Sequence, residues 1–165
     1  MILDLKRVFL GENERIALHT EVDMGSDAQG ETGFVPPVEA DITVRNRAGL
    51  VELEADVSFT YRFECDRCAK AADRSYAYKF RHIIVEKLSD ESGDDHIEAP
   101  DYKLDTDALL RDDVLLELPS KFLCKESCKG LCPKCGKNLN ECSCGCVLRE
   151  TDPRLAALAS LLSDE

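Results

Sequence analysis

The sequence predicts an α+β protein in which an N-terminal antiparallel β-sheet, or partly open barrel, is followed by a Cys-rich knuckle and short helices. Two observations carry this. Between Val51 and Phe63 apolar residues alternate with polar ones, the period of a strand with one buried face. Six cysteines then fall within the twenty-one residues from Cys124 to Cys144, and a further pair stands upstream at Cys65 and Cys68. The expected division is a β-rich body carrying a CxxC hairpin and one helix over 1–120, a cysteine segment over 121–149 and a C-terminal helix over 150–165. A chain of 165 residues can bury a sizeable core without help from a metal.

Along the chain, Ile16, Leu18 and Val22 share one face of a first candidate strand, and Val38, Ala40, Ile42 and Val44 resume the period of two after a Gly/Pro-rich loop. The Asn46-Arg-Ala-Gly49 turn leads into the strongest signal. Val51, Leu53, Ala55, Val57, Phe59, Tyr61 and Phe63 point one way, and Glu52, Glu54, Asp56, Ser58, Thr60, Arg62 and Glu64 the other. Cys65 is next in the inward register. Tyr76, Tyr78, Phe80 and Ile84 predict a returning strand, which makes Cys65 to Cys68 the connection of a hairpin.

Residues 89 to 101 read as a polar, acidic loop without periodicity, and their spacing does not suit a calcium site. From Thr106 to Leu118 the residues Leu109, Leu110, Val114, Leu115 and Leu118 follow helical spacing, with Pro119 just beyond the end. Asp152 and Pro153 predict the start of a last helix, whose stripe is Leu155, Leu158, Ala159 and Leu162.

The cysteine spacing is that of metal ligands. Zn²⁺ takes four tetrahedral thiolate or imidazole ligands, and a CxxC turn converges two sulfurs while backbone N–H groups bond to them. Cys132-Pro-Lys-Cys135-Gly fits this closely, because the proline pre-sets the turn and Gly136 tolerates a positive φ. The segment therefore reads as a zinc knuckle. Eight of the nine cysteines make two four-thiolate sites. The preferred partition joins Cys65 and Cys68 to Cys124 and Cys128, and joins Cys132 and Cys135 to Cys142 and Cys144, with Cys146 able to replace either of the last two. A rival pairs Cys65 and Cys68 directly with Cys132 and Cys135, so one ion or two remain open.

Composition excludes several function classes. The formal net charge is −12, which repels a phosphate backbone at long range and favours basic partners. Only the stretch from Lys121 to Arg149 is locally basic, with six basic residues against two acidic ones. Lys129, Lys134 and Lys137 are its candidate contacts for a partner or RNA; the plainer reading is that they keep a loop-rich metal site soluble. Nine cysteines without a secretory leader or a long apolar run imply thiols kept reduced, and a cytoplasmic, membrane-free protein is expected. His19, His82 and His96 lie outside the cysteine segment with no paired spacing, so they read as ordinary surface or core residues. No open metal position, phosphate loop or nucleophile arrangement stands out, and a CxxC continuing a strand does not resemble a thiol oxidoreductase. No enzymatic activity is expected.

Four stretches together resemble the YceD family of large ribosomal RNA subunit accumulation proteins. They are Cys65-Asp-Arg-Cys68 after a long alternating strand, Leu115-Leu-Glu-Leu-Pro119, the block from Cys128 to Asn140 and the ending Asp152-Pro-Arg-Leu-Ala-Ala-Leu. The resemblance implies a non-enzymatic role in accumulation, processing or assembly of large-subunit ribosomal RNA. It implies a large-subunit precursor as partner; the acidic surface favours a basic ribosomal protein or assembly factor as the direct contact, with rRNA touched at most through the lysines near Cys128 to Cys135. The chain departs from the family pattern at Phe122, where a proline is common, and in its extra Cys146. A zinc-ribbon protein-interaction module outside ribosome biogenesis, such as a transcription accessory, shares every metal feature.

Overall fold

The computed structural model describes residues 1–11, 14–25, 32–88 and 96–146. The predicted hairpin is its centre. Strands β3 (Gly33–Arg47), β4 (Leu50–Glu64) and β5 (Ala71–Val85) run antiparallel, with β2 (Arg15–Glu21) added outside β3. The fifth strand, β6 (His96–Glu98), lies parallel to the end of β5, so the sheet is mixed rather than wholly antiparallel. A second sheet pairs β1 (Ile2–Asp4) with β7 (Lys103–Asp105). Among the described residues there are two α-helices, α1 (Lys6–Leu10) and α2 (Thr106–Glu117). The protein is thus mostly sheet with few helices and a cysteine-rich cluster near its C-terminal end.

Alternation in β4 becomes burial as expected. Val51, Leu53, Ala55, Val57, Phe59 and Phe63 are buried, and Val38, Ala40, Ile42 and Val44 of β3 lie on the same inner face. Leu5 and Val8, beside and within α1, and Leu110 and Val114 of α2 belong to the same core. Of the helical stripe read from the sequence, only Leu110 and Val114 are fully buried, whereas Leu115 is 45% exposed. A helix packed by a few positions on one side leaves the edges of a wider stripe in water.

Local chemistry fixes the turns. Ala48 and Gly49 both have positive φ in the two-residue connection of β3 and β4, as a type I′ turn requires. Asn46 holds this turn by accepting from Gly49 N at 2.9 Å, while its amide donates to Val8 O at 2.9 Å. Pro36 and Pro37 cannot donate to a ladder, and the β3/β4 register shifts between Val35 and Glu39. At α2, the Asp105 carboxylate accepts from Asp107 N and Ala108 N and caps the helix.

Two short elements depart from the acidic loop expected over 89–101, and a third follows it. Residues 96–98 form β6, Pro100–Tyr102 form a 3₁₀ turn and Lys103–Asp105 form β7. Residues 89–95 and the predicted helix at 150–165 lie outside the described residues. The chain divides into two compact units, one comprising Met1–Glu64 and Ala71–Phe122, the other Cys65–Lys70 with the residues from Leu123 onward. The CxxC connection between β4 and β5 therefore belongs with the cysteine segment and not with the body that carries its flanking strands. Phe122 closes the body unit, stacking on Tyr61 at 5.0 Å and packing on Phe63.

Candidate metal centres

Cys65 follows directly on β4 and is 2% exposed. Its loop is closed by Cys65 N donating to Lys70 O at 3.0 Å and Ala69 N donating to Cys65 O at 2.8 Å. The segment from Leu123 to Gly130 supplies the other half of the site. The sulfurs of Cys65, Cys68, Cys124 and Cys128 all lie within 4.8 Å of one another, with Cys65 to Cys128 at 3.8 Å and Cys68 to Cys124 at 3.7 Å. Two thiolates bound tetrahedrally at ~2.3 Å from one ion stand about 3.8 Å apart, so the spacing is that of a shared metal. All nine cysteines are free thiols.

Backbone contacts set the two halves against each other. Arg67 Nη1 donates to Cys128 O at 2.8 Å, and Arg67 O accepts from Leu131 N at 2.8 Å. Gly130 sits at φ +75° where an added Cβ would lie 2.9 Å from Arg67 O, so both its conformation and its lack of a side chain are used.

The second cluster is local. Cys132, Pro133, Lys134 and Cys135 form a turn closed by Gly136 N donating to Cys132 O at 2.8 Å, with Gly136 at φ +69°. Cys132 N donates to Lys137 O, and Leu131 bridges Asn138, giving a minimal hairpin. Its four converging sulfurs are those of Cys132, Cys135, Cys144 and Cys146, again within 4.8 Å of one another. Cys142, placed in this cluster by the sequence reading, is not among them. A turn at Asn138 takes it elsewhere: Asn138 O accepts from Glu141 N and Cys142 N at 3.1 Å each, and the Cys142 thiol donates to the same carbonyl at 3.6 Å. Cys146 takes its place. The rival grouping of Cys65 and Cys68 with Cys132 and Cys135 does not occur.

Sulfur electrostatics test whether these sets suit a cation. Burial opposes a thiolate at Cys65, but backbone N–H groups of Cys124, Arg67 and Cys68 outweigh it and bring the pKa to about 6. Burial likewise opposes ionisation of Cys128, and donation from the Asn140 amide and Gly130 N–H lowers it nonetheless. Burial together with the other three sulfurs pushes Cys124 up to about 12. The Lys70 N–H favours a thiolate at Cys68, but burial and the Cys65 and Cys128 sulfurs hold it above the ordinary thiol value. In the second cluster, N–H groups of Cys135 and Lys134 bring Cys132 to about 6, while the Cys135 sulfur and burial push Cys146 to about 12. The Cys146 N–H favours ionisation of Cys144, but the Cys132 sulfur and burial hold it high. Each cluster thus supports some thiolates and resists others, and a dication at its centre removes that resistance. Both donor sets fit a metal ion.

Several contributors carried no recognisable signal in the sequence. Asn138 Oδ1 accepts from Asn140 N at 3.0 Å and from Asn140 Nδ2 at 2.8 Å, and Asn140 Nδ2 lies 3.3 Å from Cys128 Sγ. The Asn-Leu-Asn run after the CxxCG turn was visible; which groups it bonds was not. Lys129, Lys134 and Lys137 are exposed, their backbones serving the knuckle and their side chains left to solvent. His19 and His82 take no part, pairing instead with Asp41 at 2.9 Å and Asp113 at 2.7 Å.

The family described as large ribosomal RNA subunit accumulation protein YceD matches residues 53–162 of this chain, a span that takes in both clusters. The chain belongs to the YceD family. It is 26% identical to the large ribosomal RNA subunit accumulation protein YCED homolog 1, chloroplastic, of Arabidopsis thaliana, over 76% of this chain and 48% of the relative. It is 27% identical to the Zea mays protein of the same name, over 88% of this chain and 62% of that one. A third relative, the uncharacterized protein YlbN of Bacillus subtilis (strain 168), is 26% identical over 75% of this chain and 76% of its own length. The chain therefore spans only about half to three fifths of the two plant relatives. No solved structure matches. Among the described residues no helix is long and apolar enough to cross a membrane.

Proposed function

We propose that this YceD-family chain is a non-enzymatic zinc-binding factor that supports accumulation, processing or assembly of large-subunit ribosomal RNA. The observation that carries this reading is the family match over residues 53–162, because it spans both four-cysteine clusters. Zn²⁺ is the ion that four converging thiolates at tetrahedral spacing favour. Full ligation by four sulfurs leaves no open position for a water nucleophile, so the metal's part is structural. Two such sites, each contributing a net −2, would take the formal charge from −12 to about −16.

An acidic body is a poor ligand for rRNA. The direct partner is therefore a basic ribosomal protein or assembly factor on the large-subunit precursor, with RNA reached through the exposed Lys129, Lys134 and Lys137. The compartment is a reducing one, the cytoplasm, in which nine free thiols persist.

Sedimentation of the tagged chain through a sucrose gradient tests this. It should travel with large-subunit precursors, and absence from those fractions would overturn the ribosomal reading in favour of an interaction module elsewhere. Replacing all three lysines with glutamate should abolish RNA association and flatten its salt dependence. Unchanged binding would remove RNA from the mechanism and leave the protein partner.

A further inference from the structure

The Asn140 side chain touches a candidate ligand sulfur of the first cluster, while its backbone belongs to the loop of the second. Its Nδ2 lies 3.3 Å from Cys128 Sγ, and its Oδ1 accepts from Lys129 N at 3.0 Å, so it holds both the sulfur and the main chain following it. Its own N–H donates to Asn138 Oδ1 at 3.0 Å, and Leu139 N donates to Gly130 O at 2.9 Å. The loop bearing Asn138 and Asn140 runs between the ligand pair Cys132 and Cys135 and the pair Cys144 and Cys146. Ligation at both ends of that loop removes most of its freedom. The cost of ordering Asn140 against Cys128 is then already met when the first cluster takes its metal.

We propose that Asn140 couples the two clusters, so that filling the Cys132 cluster raises the metal affinity of the Cys65 cluster. The link is the amide N–H donated to Cys128 Sγ. Asn140 is a positioning residue and not a ligand. By linkage the effect is reciprocal: a filled first cluster presents a full thiolate to the amide and steadies the loop of the second. The inference rests on the metal-binding reading of both clusters, and it goes further by making them a single two-step device. Outer-shell partners of metal ligands typically change affinity by about 10- to 100-fold, so a coupling of about tenfold is expected.

A double-mutant cycle on the full chain tests it, reading Zn²⁺ affinity by competition with a chromophoric chelator and assigning each cluster by its Co²⁺ spectrum. Disabling the second cluster with Cys132→Ser and Cys135→Ser should weaken binding at the first about tenfold when Asn140 is present. With Asn140→Ala the same disabling should change it less than about twofold. Asn140→Ala alone should shift the thiolate-to-Co²⁺ charge-transfer band of the first cluster and leave that of the second in place. An equal loss in both backgrounds overturns the assignment to Asn140, and no loss in either overturns the coupling. Asn140→Asp keeps the acceptor for Lys129 N–H but not the donor; retained coupling in that variant also overturns the proposal. Loss of second-cluster uptake in Asn140→Ala would do the same, since it would make Asn140 a scaffold for that site. Failure of the unaltered chain to take up any metal is a separate outcome, which overturns the metal reading itself.

Discussion

In the sheet body Leu5, Ile42, Leu53, Leu110 and Val114 are buried almost completely against one another, whereas the buried side chains of the cysteine unit, among its described residues, are Cys65, Cys68, Cys128 and Cys132, with Leu123 and Cys124 packed beside the first three. The body can lower its free energy by taking apolar area out of water, at roughly 25 cal/mol per Å². Among its described residues the cysteine unit has too few buried apolar side chains for that. It substitutes converging sulfurs and backbone bonds around them, an arrangement that is favourable once a cation neutralises the thiolates. One chain thus carries two kinds of core, and each should fail under a different insult.

Metal removal is the largest way to separate them. A strong chelator should abolish amide-exchange protection at residues 65–70 and 123–146 while the β-sheet circular dichroism persists. Structural Zn²⁺ contributes on the order of 10–16 kcal/mol in small metal-folded peptides, so the local loss should be complete. Cooperative loss of the sheet along with the metal would show that the body also depends on it.

Substituting single cysteines narrows the test to the second cluster. Cys146→Ser should cost one of two bound ions, and Cys142→Ser none, because only Cys146 joins Cys132, Cys135 and Cys144. Metal content by mass spectrometry of the native protein reads this directly. One ion lost with Cys142→Ser instead would restore the grouping expected from the sequence.

These two regions also differ in how much of them the sequence disclosed. The inner face of β4 was legible from Val51 to Phe63 because a period of two over a long strand has few other readings. Strands of three residues carry no period. Hence β1, β6 and β7 went unseen, the more so because Ile2 pairs with Asp105, a partner fixed only by the completed fold. At the candidate metal centres spacing offered two partitions, and the preferred one already grouped Cys65 and Cys68 with Cys124 and Cys128, whose sulfurs converge. The choice between Cys142 and Cys146 was not legible, since the turn at Asn138 decides it through the carbonyl that draws Cys142 away. Leu115 shows the reverse error, a residue with the right spacing that is 45% exposed among the described residues.

Within the body, Leu53→Ala removes a side chain that is 0% exposed at the middle of the inner face. A buried leucine truncated in this way costs about 2–5 kcal/mol, the spread reflecting how far the cavity collapses. Urea unfolding followed by circular dichroism should show that loss, with two ions still bound per chain. Loss of metal on this substitution would mean that the two cores are not energetically separate.

The smallest effect concerns Glu52, which the alternation assigns to the solvent side but which is only 7% exposed. Arg81 covers it from β5, donating to Oε1 at 2.7 Å, and Arg45 from β3, donating to Oε2 at 3.3 Å. The Arg81 hydrogen bond, opposed by burial and aided by Arg45, holds the Glu52 carboxyl below its usual pKa. A carboxylate with a lowered folded-state pKa contributes stability above its unfolded pKa and loses it as the pH falls through the folded value. Glu52→Gln should therefore be less stable than the unaltered protein at neutral pH, and the two should converge on acidification through the range just below ordinary glutamate titration. Denaturation midpoints across that range check the sign. A gap that stays constant with pH would mean that Glu52 acts there through packing and not through its charge. Since neither arginine lies in the cysteine unit, metal content should be the same in both proteins throughout.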